Sequence, residues 1–293
     1  PEFWKFAIMR VKETYPDLKF IAEIYEPEAY VTYLSAGFDY LYDKVGLYDI
    51  TRDLIEGRGS TQQISQLWQN LNGIDNQMLR FLENHDEQRI ASKYFAGDPE
   101  KGIGGFALTS LLNQGPILLY FGQELGEPAH GAQGFSQDDG RTSIFDYGSI
   151  PTIADWLKGE SSEEQNQLRA AYQKILLLAS GNPVIQFGDF YDLMWLNEDL
   201  EAEIRTKVFA FLRHFQGTVY LIAVNFCPDL SEIKIRLAEH ALKTTGLEMA
   251  TRFQIKSLHP FLKTESLLAS QVCSSGIGLS FDYTNWAMVR ISI

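Results

Sequence analysis

Three stretches of the chain end an apolar run in groups that can move protons or grip hydroxyls. They are FIAEIYEPEAY at 20–30, FLENHDEQR at 81–89 and GPILLYFGQELGE at 115–127. In the first, strand alternation sets Ile21, Glu23 and Tyr25 on one face and Ala22 and Ile24 on the other. That pattern embeds a carboxyl group in an apolar strand. An unpaired carboxylate in such surroundings is costly and escapes by holding its proton more tightly. A tightly held proton near neutral pH is what a general acid needs. The alternative is a Glu23 paired with an Arg or Lys in the interior. In the second stretch His85 and Asp86 are adjacent, so an extended strand would point them apart. At a strand-to-loop bend both can reach one pocket, and Asn84 can set that bend through its own backbone bonds. The same letters also spell an Asx turn followed by a helix, with Asp86 as N-cap. In the third stretch Gln123 and Glu124 suit the holding of a loop.

Groups at strand ends need strands that share a rim. In a barrel of parallel strands the working residues gather at the C-terminal strand ends. The first part of the chain alternates accordingly. EFWKFAIMRVKETY has Phe3, Phe6, Ala7, Met9 and Val11 near helical spacing, and Pro16-Asp17 ends it. LKFIAEIY reads as a buried strand and FDYLYDK as another. Helical stretches follow around 47–57 and 60–72, then QMLRFLENHD as a strand, GGFALTSLLNQ as a helix and GPILLYFG as a short strand. A Gly-rich loop covers roughly 122–150, and EEQNQLRAAYQKILLLA is an amphipathic helix stopped at Gly181-Asn182-Pro183. Beyond it FGDFYDLMWL, KVFAFLRHF, TVYLIAVNF, EIKIRL and WAMVRISI are β-rich. HFQGTVYLIAVNF reads as a hairpin turning at Gln216-Gly217. The expected organisation is βα units over 1–182 and an all-β module over 183–293.

Composition narrows the function. With 45% hydrophobic and 13% aromatic residues the chain can build a packed core. A formal charge of −13 disfavours nucleic acid and anionic lipid as partners and suits a neutral ligand such as a sugar. Two cysteines, Cys227 and Cys273, make no disulfide framework and read as small apolar residues. No CxxC or HExxH pattern occurs, and KGIGGF lacks the strand and spacing of a phosphate loop. No apolar run approaches the roughly 20 residues of a membrane span. The chain opens at Pro1 inside a helix-like stretch, and its first residues assign no compartment.

Together the three strand ends resemble successive signatures of the α-amylase family, glycoside hydrolase family 13, in matching order and separation. FDYLYDKVGLYD and DDGRTSIFDY extend the likeness toward a bacterial branch, and the β-rich module resembles the family's C-terminal sandwich. The resemblance implies a fold of class α/β: the last four or so units of a (β/α)8 TIM barrel, followed by an all-β sandwich. It implies that Glu23 is the general acid/base at the end of the fifth strand. Asp86 is then the carboxylate after the seventh strand that holds sugar hydroxyls and stabilises the transition state, and His85 is its substrate-binding neighbour. Tyr25, on the same side of its strand as Glu23, is the better placed of Tyr25 and Tyr42 to stack on a glucose face. The implied substrate is an α-glucan such as starch, glycogen or maltooligosaccharides. The alternatives are a transglycosylase or branching enzyme of the same family, or a non-catalytic glycan-binding or scaffold protein, although Glu23 and Asp86 are both present. No cofactor is implied beyond calcium, for which no ligand set is visible. DDG at 138–140 reads as a turn.

The family's nucleophilic Asp, in a GxRxDxxxH-type stretch, has no match here. PEFWKF resembles the helix just after that strand. A whole barrel takes about 250 residues, and only residues 1–182 precede the β-rich module. The first half of the barrel is therefore expected to be missing from this chain and present in the full-length protein. Half a barrel would leave open strand edges, so poor folding, self-association or a need for the missing strands is expected.

Overall fold

The computed structural model describes residues 1–131, 137–142 and 150–293. Helix α1 (Glu2–Thr14) leads to β1 (Ile21–Ala22). Then come α2 (Tyr30–Ser35), β2 (Tyr40–Tyr42), α3 (Asp49–Ile55), α4 (Gln62–Leu71) and β3 (Met78–Leu79). The strands run parallel in the order β1-β2-β3, with Ile21 opposite Tyr40 and Leu41 opposite Met78. A further parallel contact adds the GPILLY segment beside β3. The Arg80 N–H donates to Pro116 O at 3.0 Å and the Leu118 N–H donates to Arg80 O at 2.8 Å. The four strand positions read from residues 1–182 thus lie side by side in chain order. Helices α5 (Gly102–Leu111), α6 (Pro151–Lys158) and α7 (Glu163–Gly181) follow. Ser162 and Gln165 form a capping box that starts α7.

One strand expectation is corrected. LKFIAEIY reads as a buried strand, but only Ile21–Ala22 pair, and Leu18, Ile21 and Tyr25 are exposed. The reason is position: β1 is the edge of its sheet, so β2 covers one side only. The same holds for α1. Its apolar spacing suggested a buried face, yet Ile8 alone is buried while Phe3, Phe6 and Met9 are exposed.

The second part is antiparallel. It comprises α8 (Pro183–Phe187), β4 (Asp189–Asp192), α9 (Ala202–Lys207), β5 (Val208–Phe215), β6 (Thr218–Asn225) and β7 (Glu232–Ile235). Helix α10 (Glu239–Thr244), β8 (Arg252–His259), β9 (Thr264–Leu268), α11 (Ala269–Ser274), β10 (Ile277–Ser280) and β11 (Trp286–Ser292) complete it. A six-stranded sheet runs β4-β5-β6-β11-β8-β9, and β10 pairs with β7 in a second sheet. The β5–β6 hairpin turns where expected. Gln216 (φ 46°) and Gly217 (φ 77°) are both left-handed, the geometry whose twist matches the flanking strands.

The change of architecture near residue 182 does not divide the core. Helix α5 is buried along its whole length and touches α3 and α7 of the first part and β6 and β11 of the second. One apolar cluster therefore runs from Leu47 to Ile291. Gly104 permits this approach, because a Cβ there would stand 3.1 Å from the Asn285 carbonyl oxygen.

A polar chain also crosses the junction. Lys174 Nζ of α7 donates to His259 Nδ1 at 2.8 Å, and His259 Nε2 lies 2.7 Å from Thr284 Oγ1. The Thr284 hydroxyl donates to Asp282, and the imidazole stacks 3.9 Å from the Trp286 ring. The lysine must donate, so Nδ1 accepts and Nε2 carries the proton of a neutral ring. Burial first, then the charge of Lys174, pushes His259 from 6.5 down to about 4. A histidine lowered in the fold contributes stability that is complete above pH 6.5 and lost as pH falls toward 4. That loss is expected to reach about 2–3 kcal/mol. His259→Gln, which keeps an acceptor for Lys174 but does not titrate, should remove this part of the pH dependence in urea unfolding. An unchanged slope would remove His259 as its source.

Candidate active site

The site is built on the C-terminal ends of β1 and β3. Past β1, Glu23 is exposed and its Oε1 accepts a hydrogen bond from the Tyr25 hydroxyl at 2.6 Å. Among the described residues Glu23 is therefore neither embedded in an apolar strand nor paired with Arg or Lys, in keeping with the edge position of β1. Burial, and next the bond to Glu23, make the Tyr25 phenol harder to ionise. The bond holds the Tyr25 ring beside the carboxylate.

Past β3 the chain stays buried through Asn84 and then turns out. Asn84 Oδ1 accepts from the N–H groups of Asp86 at 2.9 Å and Glu87 at 2.8 Å, which closes the expected bend. No helix follows, so Asp86 caps none. The bend brings His85 and Asp86 together: His85 Nε2 stands 3.4 Å from Asp86 Oδ2, with both side chains partly exposed. The two strand ends also sense one another. Burial mainly pushes the Tyr42 phenol up, against its bond with Asn84, and the charges of Glu23 and Asp86 both add to the push. Tyr25 likewise feels Glu23, Asp86 and Glu87. One rim thus collects two tyrosine hydroxyls, an imidazole and three carboxylates.

The groups beneath this rim are those the strand pattern did not reveal. Glu83 is 2% exposed, and its Oε2 accepts from Arg89 Nη1 at 2.7 Å while its Oε1 accepts from the Ile90 N–H at 2.7 Å. Arg89 is fully buried. Its other donors reach Thr142 Oγ1 at 2.7 and 3.0 Å and the Phe121 carbonyl at 2.8 Å, and its guanidinium lies 4.2 Å from the centre of the Tyr120 ring. Arg141 Nε donates to the Asp86 carbonyl at 2.5 Å. Glu87 is held from the side by the Tyr48 hydroxyl at 2.7 Å and by Lys44 at 3.3 Å. Each of these partners lies far away in sequence or looked surface-like in it. The one local hint was an opposite charge six residues after Glu83.

Gln123 is buried and holds its loop through the Tyr120 N–H and the Tyr172 hydroxyl, both at 3.4 Å. Residues 138–140 bend as expected, with Gly140 at φ 79° and its carbonyl accepting from the Arg89 N–H at 2.7 Å. The SIFDY portion of DDGRTSIFDY, residues 143–147, lies outside the described residues. Among the described residues no three His, Cys, Asp or Glu side chains converge as metal donors. Cys227 and Cys273 are both free and half-buried.

No family profile and no curated protein sequence matches the chain. Solved structures do. An α-amylase from Geobacillus thermoleovorans, crystallised with acarbose, aligns at TM-score 0.64 and 18% identity over 100% of this chain and 57% of its own. A maltogenic α-amylase from Thermotoga neapolitana aligns at TM-score 0.65 and 17% identity, over 100% and 59%. A debranching enzyme from Nostoc punctiforme aligns at TM-score 0.59 and 14% identity, over 99% and 54%. The chain spans a little over half the length of these proteins. In fold, it corresponds to the later part of the α-amylase structures: the last strands of a parallel barrel with their helices, followed by an antiparallel β domain.

Proposed function

We propose that the chain supplies the acid/base and substrate-holding side of an α-amylase-type retaining glycosidase site for α-glucans. The observation that supports this most is the position of Glu23 and Asp86, each just past the C-terminal end of a strand of one parallel sheet, with both charges acting on Tyr25 and Tyr42. In this reading Glu23 protonates the leaving glycosidic oxygen and later, as carboxylate, takes a proton from the attacking water. The Tyr25 hydroxyl steadies that carboxylate. Asp86 and His85 hold ring hydroxyls, and their bonds tighten as positive charge develops on the sugar. The exposed position of Glu23 suits a group that must meet solvent-borne substrate. A retaining reaction also needs a second carboxylate on the opposite face of the sugar. The reading assigns that role to no residue of this chain, but to barrel strands that complete the open edge of β1. The test is cleavage of maltooligosaccharides by the chain joined to such strands. A joined protein that binds maltooligosaccharides firmly and never cleaves them would favour a purely binding role and overturn the proposal.

A further inference from the structure

A second sugar-sized recess lies away from the rim. A cavity of about 450 Å³ opens on the seam between α4 and the β domain, and it shares no lining residue with the Glu23–Asp86 site. Its walls are aromatic. Trp68 of α4 is 38% exposed and Trp195, after β4, is 52% exposed. Trp68 rests against Phe190 with ring centres 5.1 Å apart, and the Tyr191 hydroxyl lies 3.0 Å from His240 Nδ1. An indole face left in water gains free energy when it is covered. Two such faces lining one recess mark a surface that gains by being covered.

The polar groups specify the cover. Arg205 Nη1 donates to the Glu198 carbonyl at 2.9 Å, while its Nε is buried with no hydrogen-bond partner among the described residues. The exposed amides of Gln62 and Gln69 stand at the edge. Apolar ring faces beside amide, carboxylate and guanidinium groups suit a pyranose, whose C–H face packs on an aromatic ring while its hydroxyls bond sideways. The overall charge of −13, and a lining that contains carboxylates and no lysine, disfavour a polyanion. The recess is also fixed in shape. Asp192 of β4 accepts from the Ser65 hydroxyl of α4 and from the Met194 N–H at 2.7 Å, which ties the two walls together.

We propose that this recess is a second, non-catalytic binding site for an α-glucan chain. The choice of α-glucan rests on the function proposed above. The test is electrophoresis of the chain through native gels containing amylopectin, with maltoheptaose as competitor. Retardation is expected, with apparent affinity falling about tenfold in Trp195→Ala and in Trp68→Ala. Trp195→Phe, which keeps an aromatic face, should retain most of it. An unretarded parent chain, or retardation unchanged in both Trp→Ala variants, overturns the inference. Retardation lost only in Asp86→Asn also overturns it, while still supporting glucan binding at the rim. Retardation lost in the Trp→Ala variants, in a chain whose joined form never cleaves glucan, leaves this site standing and removes the catalytic one.

Discussion

The purified 293-residue chain is expected to release no reducing sugar from starch, and Glu23→Gln is expected to lower kcat about 10²–10⁴-fold once the chain is joined to strands bearing a nucleophile. The two halves of this expectation have different causes. A proton donor alone cannot form the covalent glycosyl-enzyme, because the retaining reaction needs a second carboxylate on the opposite face of the ring. In the joined protein the glutamine cannot donate a proton, so the glycosidic oxygen must leave as an alkoxide. The effect should therefore depend on the leaving group. An aryl maltooligoside with an acidic phenol leaves without help, and its first step should be nearly unaffected by Glu23→Gln. A polished structural role for Glu23 would instead slow both substrates alike. Starch hydrolysis by the 293-residue chain alone, lost on Glu23→Gln, would show that a carboxylate of this chain acts as nucleophile and overturn the division of labour proposed here.

The fold was legible wherever local pattern and local environment agree. The β5–β6 hairpin depends on two residues that accept left-handed geometry, and Gln216-Gly217 announces them. Helix α7 carries its own capping box and so declares its start. Strand ends were legible as abrupt changes from apolar to polar, and the bend at Asn84 follows from what an asparagine does to its own backbone. The misreadings share a cause. Alternation gives the faces of a strand but not what lies against them, so an edge strand reads like a central one, and Glu23 read as buried. Glu83 is the converse. It drew no reading of its own within FLENHDEQR, yet it is the buried carboxylate, because Arg89 returns to it from across the bend while Phe121 and Thr142 close over the pair. Long-range closure of that kind has no period in the sequence. The shared core of the two modules was hidden for the same reason: GGFALTSLLNQ shows a helix, but not that it packs against helices before the boundary and strands after it.

The Glu83–Arg89 pair carries the other large expectation: Arg89→Met should lower the unfolding free energy by about 3–5 kcal/mol near neutral pH. The methionine fills much of the same volume, so the loss is electrostatic rather than a cavity. It strands a carboxylate that is 2% exposed and leaves the Phe121 carbonyl and Thr142 hydroxyl without their donor. The pH dependence supplies the signature. Burial already holds the Glu83 carboxyl above its ordinary value of 4.5, with Arg89 opposing. A carboxyl raised in the fold gives stability that is present below its unfolded value and lost as pH rises through the folded one. Without Arg89 that loss grows, so the deficit of Arg89→Met should be largest at neutral pH and shrink toward pH 4.5. Adding Glu83→Gln should recover a good part of it, because an uncharged amide remains and can still accept from the Ile90 N–H. Urea unfolding of the parent, the single variant and the double variant at two pH values measures all three effects. A deficit below about 1 kcal/mol that ignores pH would mean that water reaches Glu83 and that the pair does not seal the floor beneath Asp86.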